Sequence, residues 1–144
     1  DSSFPFVDSH AKTYSVRDGS DWEQTLKPRL HARLNASANV VLFLSSNTRY
    51  SRALREEIDY AINTKDLPII VVYPELKTMD DIHTQSEFTS TVTKLWDKLP
   101  MFRNNKYKVP VLHVPNNKVL ITKALNDTDL RVSTKTKAGD YYFQ

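Results

Sequence analysis

Apolar residues along this chain fall into two alternating patterns: short unbroken runs, and stripes that recur every three or four positions. The runs at residues 40–44 (Val-Val-Leu-Phe-Leu) and 69–72 (Ile-Ile-Val-Val) consist of strand formers with no polar interruption. Such runs fit strands covered on both faces, and they predict two neighbouring central strands of a parallel sheet. Residues 109–114 predict a further strand, with prolines 110 and 115 at its ends. A short first strand at residues 4–8 ends in the polar turn Asp8-Ser9-His10, and the loosely alternating tail, residues 134–143, predicts an edge strand.

The stripes lie between the runs. Trp22, Leu26, Leu30 and Leu34 recur every four residues, the spacing of one helix face. Ser20 followed by Glu23 has the pattern of a capping box at the start of that helix. Pro28 falls inside it and predicts a kink or a restart, because proline brings no N–H to the helical ladder. Leu54, Ile58, Ala61 and Ile62 predict a second helix over residues 52–63. Phe88, Val92, Leu95 and Trp96 predict a third that stops near Pro100, and Val119, Leu120, Ala124 and Leu125 a short fourth.

Alternation of strand and helix implies a single α/β domain over residues 1–144, an open and mostly parallel sheet with helices on both faces. Its crossovers should be right-handed. Ligands in such folds bind outside the carboxyl ends of the strands. Those ends are Asp8-Ser9-His10, Ser45-Ser46-Asn47-Thr48, Tyr73-Pro74-Glu75 and His113-Val114-Pro115, and three of the four are polar.

Composition narrows the classes. With 40% hydrophobic and 26% charged residues the chain is globular rather than disordered. The absence of cysteine excludes disulfides and thiolate metal sites and fits a reducing compartment. The longest apolar run is too short to span a bilayer, and Asp1-Ser2-Ser3 is not the positive opening of a signal peptide, so a cytoplasmic location without a membrane partner is expected. Net charge is +3, but the basic residues are scattered and form no stripe interleaved with aromatics, so no nucleic-acid partner is expected. Two glycines, Gly19 and Gly139, are too few for a glycine-rich phosphate loop.

Two groups of residues have the right chemistry for a site. Glu57 lies one helical turn from Ala53 and Leu54, at the edge of the buried face, whereas Glu56 points toward solvent. A carboxylate near the strand-end rim can grip a ribose diol or stabilise a cation developing at an anomeric carbon. The plainer reading is an ion pair with an arginine on the helix. Asp8-Ser9-His10 can reach a ligand from the first strand, against the plainer reading of a turn that satisfies its own backbone. His31 reads as a helix-surface residue, and His83 and His113 have no metal-ligand spacing, so no metal is expected. Ser45 and Ser46 lack a nucleophile-elbow motif. Trp22, Trp96 and Phe88 read as core.

Residues 29–48 (RLHARLNASANVVLFLSSNT), 51–62 (SRALREEIDYAI) and 67–74 (LPIIVVYP), with the upstream turn at Asp8, resemble the TIR-like domains of Thoeris anti-phage defence systems. The resemblance covers about residues 4–75. It implies a flavodoxin-like, TIR-like sheet, and because such domains carry a strand and helix ahead of the segment that opens here, it implies a sheet lacking its first strand and helix. Many relatives have tryptophan four residues before the glutamate; here that position is Ala53.

The resemblance also implies an activity. TIR enzymes cleave the nicotinamide–ribose bond of NAD, and Thoeris members turn the remaining ADP-ribose into a cyclic or modified signal that activates a downstream effector protein. The family glutamate maps onto Glu57 as the catalytic residue. Asp8, His10, Ser45, Ser46 and Thr48 are the expected substrate-binding residues, NAD is the substrate, no resident cofactor is expected, and a homo-oligomer is compatible. Two rival readings stand beside it: a non-catalytic TIR-like interaction module, and a nucleoside-transferring glycosyl enzyme that uses a glutamate in the same way.

Overall fold

The computed structural model describes residues 21–144. Within them lies one sheet of four strands, β1 (Val40–Phe43), β2 (Ile69–Tyr73), β3 (Pro110–Pro115) and β4 (Gly139–Tyr142), adjacent in that order and all parallel. Five α-helices accompany it: α1 (Lys27–Asn35), α2 (Arg52–Asp59), α3 (Ser90–Trp96), α4 (Pro100–Asn105) and α5 (Lys118–Leu125). This is the α/β architecture that the alternating pattern predicts.

Period-two alternation sorts each strand onto two faces. Ile69, Val71 and Tyr73 of β2 pack with Leu54 and Ile58 of α2, Val92 and Leu95 of α3, and Phe102 of α4. Ile70 and Val72 point the other way and join Leu112, Val114 and the α5 residues Ile121 and Ala124. Every position of β2 and β3 is buried, which accounts for the unbroken apolar run of β2; in β3 the buried row includes His113. A third cluster ties α1 to α2 through Leu30 and Leu34 against Ala53 and Ala61, whose small side chains let the helices approach closely.

Residues 40–44 were expected in a central strand, and β1 does pair with β2, Val40 beside Ile69. Among the described residues, however, β1 has a neighbour on one side only and ends the sheet. Its burial alternates accordingly, with Val40 and Leu42 buried and Val41 and Phe43 half-buried. The expected strand at residues 4–8, with Asp8 and His10, lies outside the described residues.

Several boundaries differ from expectation for local reasons. Ser20 also lies outside the described residues, and the described helix starts at Trp22 after Asp21, whose side chain makes no capping bond. The first turn, Trp22–Leu26, is a wide π-turn in which the Lys27 N–H reaches the Trp22 carbonyl. Pro28 supplies no N–H, so the regular ladder restarts at Lys27 with the proline in its first turn. Helix α2 begins where Ser51 Oγ accepts the Leu54 N–H, and its last turn widens in the same way over Tyr60–Thr64. Pro100 does not only end a helix: it opens α4, for which a proline at the first position is preorganised. In α5 the inward pair is Ile121 and Ala124, while Val119, expected on that stripe, is exposed.

Candidate functional site

The turn after β1 is knitted by its own side chains. The Ser45 N–H donates to Thr48 Oγ1 at 2.9 Å, and the Thr48 N–H donates back to the Ser45 carbonyl at 3.1 Å. Asn47 donates its N–H to Ser45 Oγ at 3.2 Å. Ser46 faces outward from this knot. Its N–H donates to Glu75 Oε1 at 2.8 Å, and its hydroxyl donates to Oε2 of the same carboxylate. Lys98 Nζ donates to the Ser46 carbonyl at 3.0 Å. The Ser46 hydroxyl and amide hold the Glu75 carboxyl below its ordinary range, slight burial opposes them, and Lys98 adds its charge. Three of the expected substrate-binding residues, Ser45, Ser46 and Thr48, therefore share one turn at the carboxyl end of the sheet. Glu75, from the end of β2, joins them. The position of Glu75 on the rim was the signal for it; Lys98 left none in the sequence.

Glu57 sits six residues past the helix cap Ser51, about 9 Å along α2 from that end. It is 1% exposed, deeper than the edge position expected for it. Ala53, Glu57 and Ala61 form one row at helical spacing, and the two alanines pack against α1. There Arg33 Nη2 donates to Glu57 Oε2 at 2.5 Å. The ion pair thus joins two helices, not one. Arg33 is legible in hindsight, because it flanks the Leu30–Leu34 stripe as Glu57 flanks that of α2. Glu56, expected in solvent, is instead half-buried against His31 Nε2 at 2.7 Å, and His31 stacks on Tyr60 with ring centres 3.8 Å apart. His31 is therefore a bridging residue, not a plain surface one. The two neighbouring glutamates grip α1 at adjacent points.

A second polar group runs from the interior to the surface, from the buried Tyr73 and His113 to the exposed Asp140. His113 was expected near a strand end, but it lies within β3 and is fully buried. The Trp96 N–H donates to the Tyr73 hydroxyl at 2.7 Å. With that oxygen accepting, the Tyr73 O–H donates to His113 Nδ1 at 2.7 Å, which fixes the neutral tautomer with its proton on Nε2. That N–H donates to Asp140 Oδ1 at 2.9 Å, and Lys106 donates to Oδ2. Lys106 also lies over the Trp96 ring, 4.1 Å from its centre. Trp96, expected as plain core, is the first donor of a five-residue chain. Burial raises the Tyr73 hydroxyl pKa strongly, with the Trp96 bond opposing. Burial lowers that of His113, with Asp140 opposing. Burial would raise the Asp140 carboxyl, but bonds from His113 and Lys106 outweigh it and hold the group below its ordinary range. Phe88 stands edge-on to the imidazole, 4.9 Å between ring centres, and with Trp96 lines an open groove on this side of the cluster.

Among the described residues no three histidine, aspartate or glutamate side chains gather as a metal site, and no helix is long and apolar enough to cross a membrane.

An all-parallel sheet with a polar rim turn, followed by a helix bearing a buried acidic residue, is the arrangement of TIR-like domains. Residues 1–79, more than half of the chain, match the family model for the Thoeris protein ThsB, TIR-like domain. The chain belongs to this family and is a TIR-like protein related to Thoeris defence.

Proposed function

We propose that this domain cleaves NAD between nicotinamide and ribose and converts the ADP-ribose moiety into a cyclic or modified signal that an effector protein reads. The observation that carries this reading is Glu57, a buried carboxylate on the helix that follows the rim turn of a TIR-like domain. In the reaction the C1′–N bond breaks, nicotinamide leaves as a neutral base with the electron pair, and positive charge develops on the ribose. Glu57 stabilises that charge and orients the ribose hydroxyls, as a fixed charge in a dry site does best. The Ser45–Thr48 turn holds the phosphate or ribose end of the substrate, and Asp8 and His10, which lie outside the described residues, are the further substrate contacts proposed. Capture of the cation by an internal hydroxyl or adenine nitrogen, with loss of its proton, gives a cyclic product; capture by water gives ADP-ribose.

The Arg33–Glu57 ion pair favours a second reading, in which the carboxylate only fastens α1 to α2 and the domain is an interaction module. Glu57→Gln separates the two. Glutamine keeps the shape of the buried side chain and an acceptor oxygen for Arg33, so the variant should still fold, and a thermal melt separates lost folding from lost chemistry. Loss of one preorganised charge should lower NAD consumption by about a hundredfold or more. Mass spectrometry of NAD incubated with parent and variant gives both rate and product. A variant that consumes NAD at the parent's rate removes Glu57 from the mechanism. A parent that consumes free nucleosides in preference to NAD favours the glycosyl-transfer alternative.

A further inference from the structure

We infer that the Ser46 turn is an anion cradle for the phosphates of a nucleotide, and that Glu75 occupies it as an internal stand-in until such a ligand displaces it. The inference deepens the function proposed above, and rests on it only for the ligand being a dinucleotide. Three observations carry it. First, the two donors of Ser46, amide and hydroxyl, converge on the two oxygens of a single carboxylate. This is the two-pronged geometry with which an amide and a hydroxyl take a phosphate. Second, Lys98, fixed on the Ser46 carbonyl, brings a cation to the same place and acts on Glu75 through its charge. Third, the turn itself is not held by Glu75. Ser45, Asn47 and Thr48 close it with bonds of their own, so the cradle keeps its shape when Glu75 leaves.

The exchange is favourable because Glu75 is exposed and stands on the turn just after β2, where its side chain can rotate into solvent. Exposed charge pairs hold weakly, and a phosphate carries more charge and more acceptor oxygens than a carboxylate. The arrangement sets a threshold: the ligand's apparent affinity is lowered by the fraction of molecules in which Glu75 fills the cradle.

The test is binding, read separately from turnover. Amide resonances of the parent, Glu75→Ala and Glu75→Gln are followed during titration with pyrophosphate, ADP and adenosine. The cradle predicts that the Ser46 amide shifts with pyrophosphate and ADP and stays still with adenosine. Glu75→Ala should bind both anions about three- to tenfold more tightly than the parent, with Glu75→Gln between them. Adding Lys98→Ala to Glu75→Ala should reverse the gain. Equal affinity in parent and Glu75→Ala overturns the inference, as does a Ser46 amide that ignores pyrophosphate. If the alanine variant melts early, the glutamine variant, which keeps an acceptor for Ser46, decides. NAD consumption by the parent is scored independently. Turnover without a Glu75 effect retains the proposed function and removes the cradle; a Glu75 effect without turnover does the reverse.

Discussion

Burial pushes the His113 imidazole below its usual range, and the bond to Asp140 only partly offsets this. The groups facing it are Asp140 of β4, Lys106 after α4, and His83 of the loop after β2; of these, Lys106 and His83 also disfavour the cation. Geometry agrees. A proton added at Nδ1 would meet the Tyr73 hydrogen already directed there. Below pH 6.5 the unfolded chain therefore takes up a proton that the folded chain resists. The contribution is complete above that pH and is lost as pH falls below it, toward the lower folded-state value. Asp140, held below 3.8, acts in the same direction further down the scale. Urea midpoints between pH 7.5 and 5 should fall with acidity in the parent. His113→Gln, less stable throughout, should show a flatter decline over that window. Equal slopes would show that another group governs it. The sequence betrayed little of this group. Tyr73 and His113 are 40 residues apart and His113 and Asp140 27 apart, and only sheet register brings them together. Glu57 was legible because its position relative to an apolar stripe is a local fact. The depth of its burial was not, because that depends on how α1 docks.

Elements were read best where proline or a continuous apolar run marked them. Pro28 announced a restart and Pro100 a boundary, while the π-turn before one and the new helix after the other carry no marker in the sequence. The fully buried β2 was clear from its unbroken apolar run, whereas β3 was foreseen as a strand but the burial of His113 within it was not. Strand β4 was legible only as a weak alternation, and it depends on its first residue. Gly139 has a φ of +147°, a conformation that side chains with a Cβ rarely adopt. Nothing lies within 4 Å of where its Cβ would sit, so crowding plays no part in Gly139→Ala. Backbone strain alone should cost about 1–3 kcal/mol by urea denaturation. A variant as stable as the parent would mean that β4 begins elsewhere.

At the scale of the whole molecule, alternation of pattern carried the architecture, because a parallel sheet demands both kinds of element in turn. The rim was foreseen as a place, since all four described strands run the same way and end together. Glu75 was foreseen on the rim, but its bonds to Ser46 and the arrival of Lys98 were not, because they form across 29 and 52 residues of chain. The hydrogen-bonded chain from Trp96 to Lys106 has one further consequence. It joins α3, β2, β3, β4 and the segment after α4, and its first member is one of only two tryptophans. The centre of the Trp96 ring system lies 5.2 Å from that of the His113 imidazole, close enough for a protonated imidazole to quench its emission. The domain therefore carries its own lamp at the junction of its layers. In a Trp22→Phe background, emission should dim as acid protonates His113 and should stay level when position 113 is glutamine. A dimming that persists in the glutamine variant would trace instead to loss of Lys106 from the indole face.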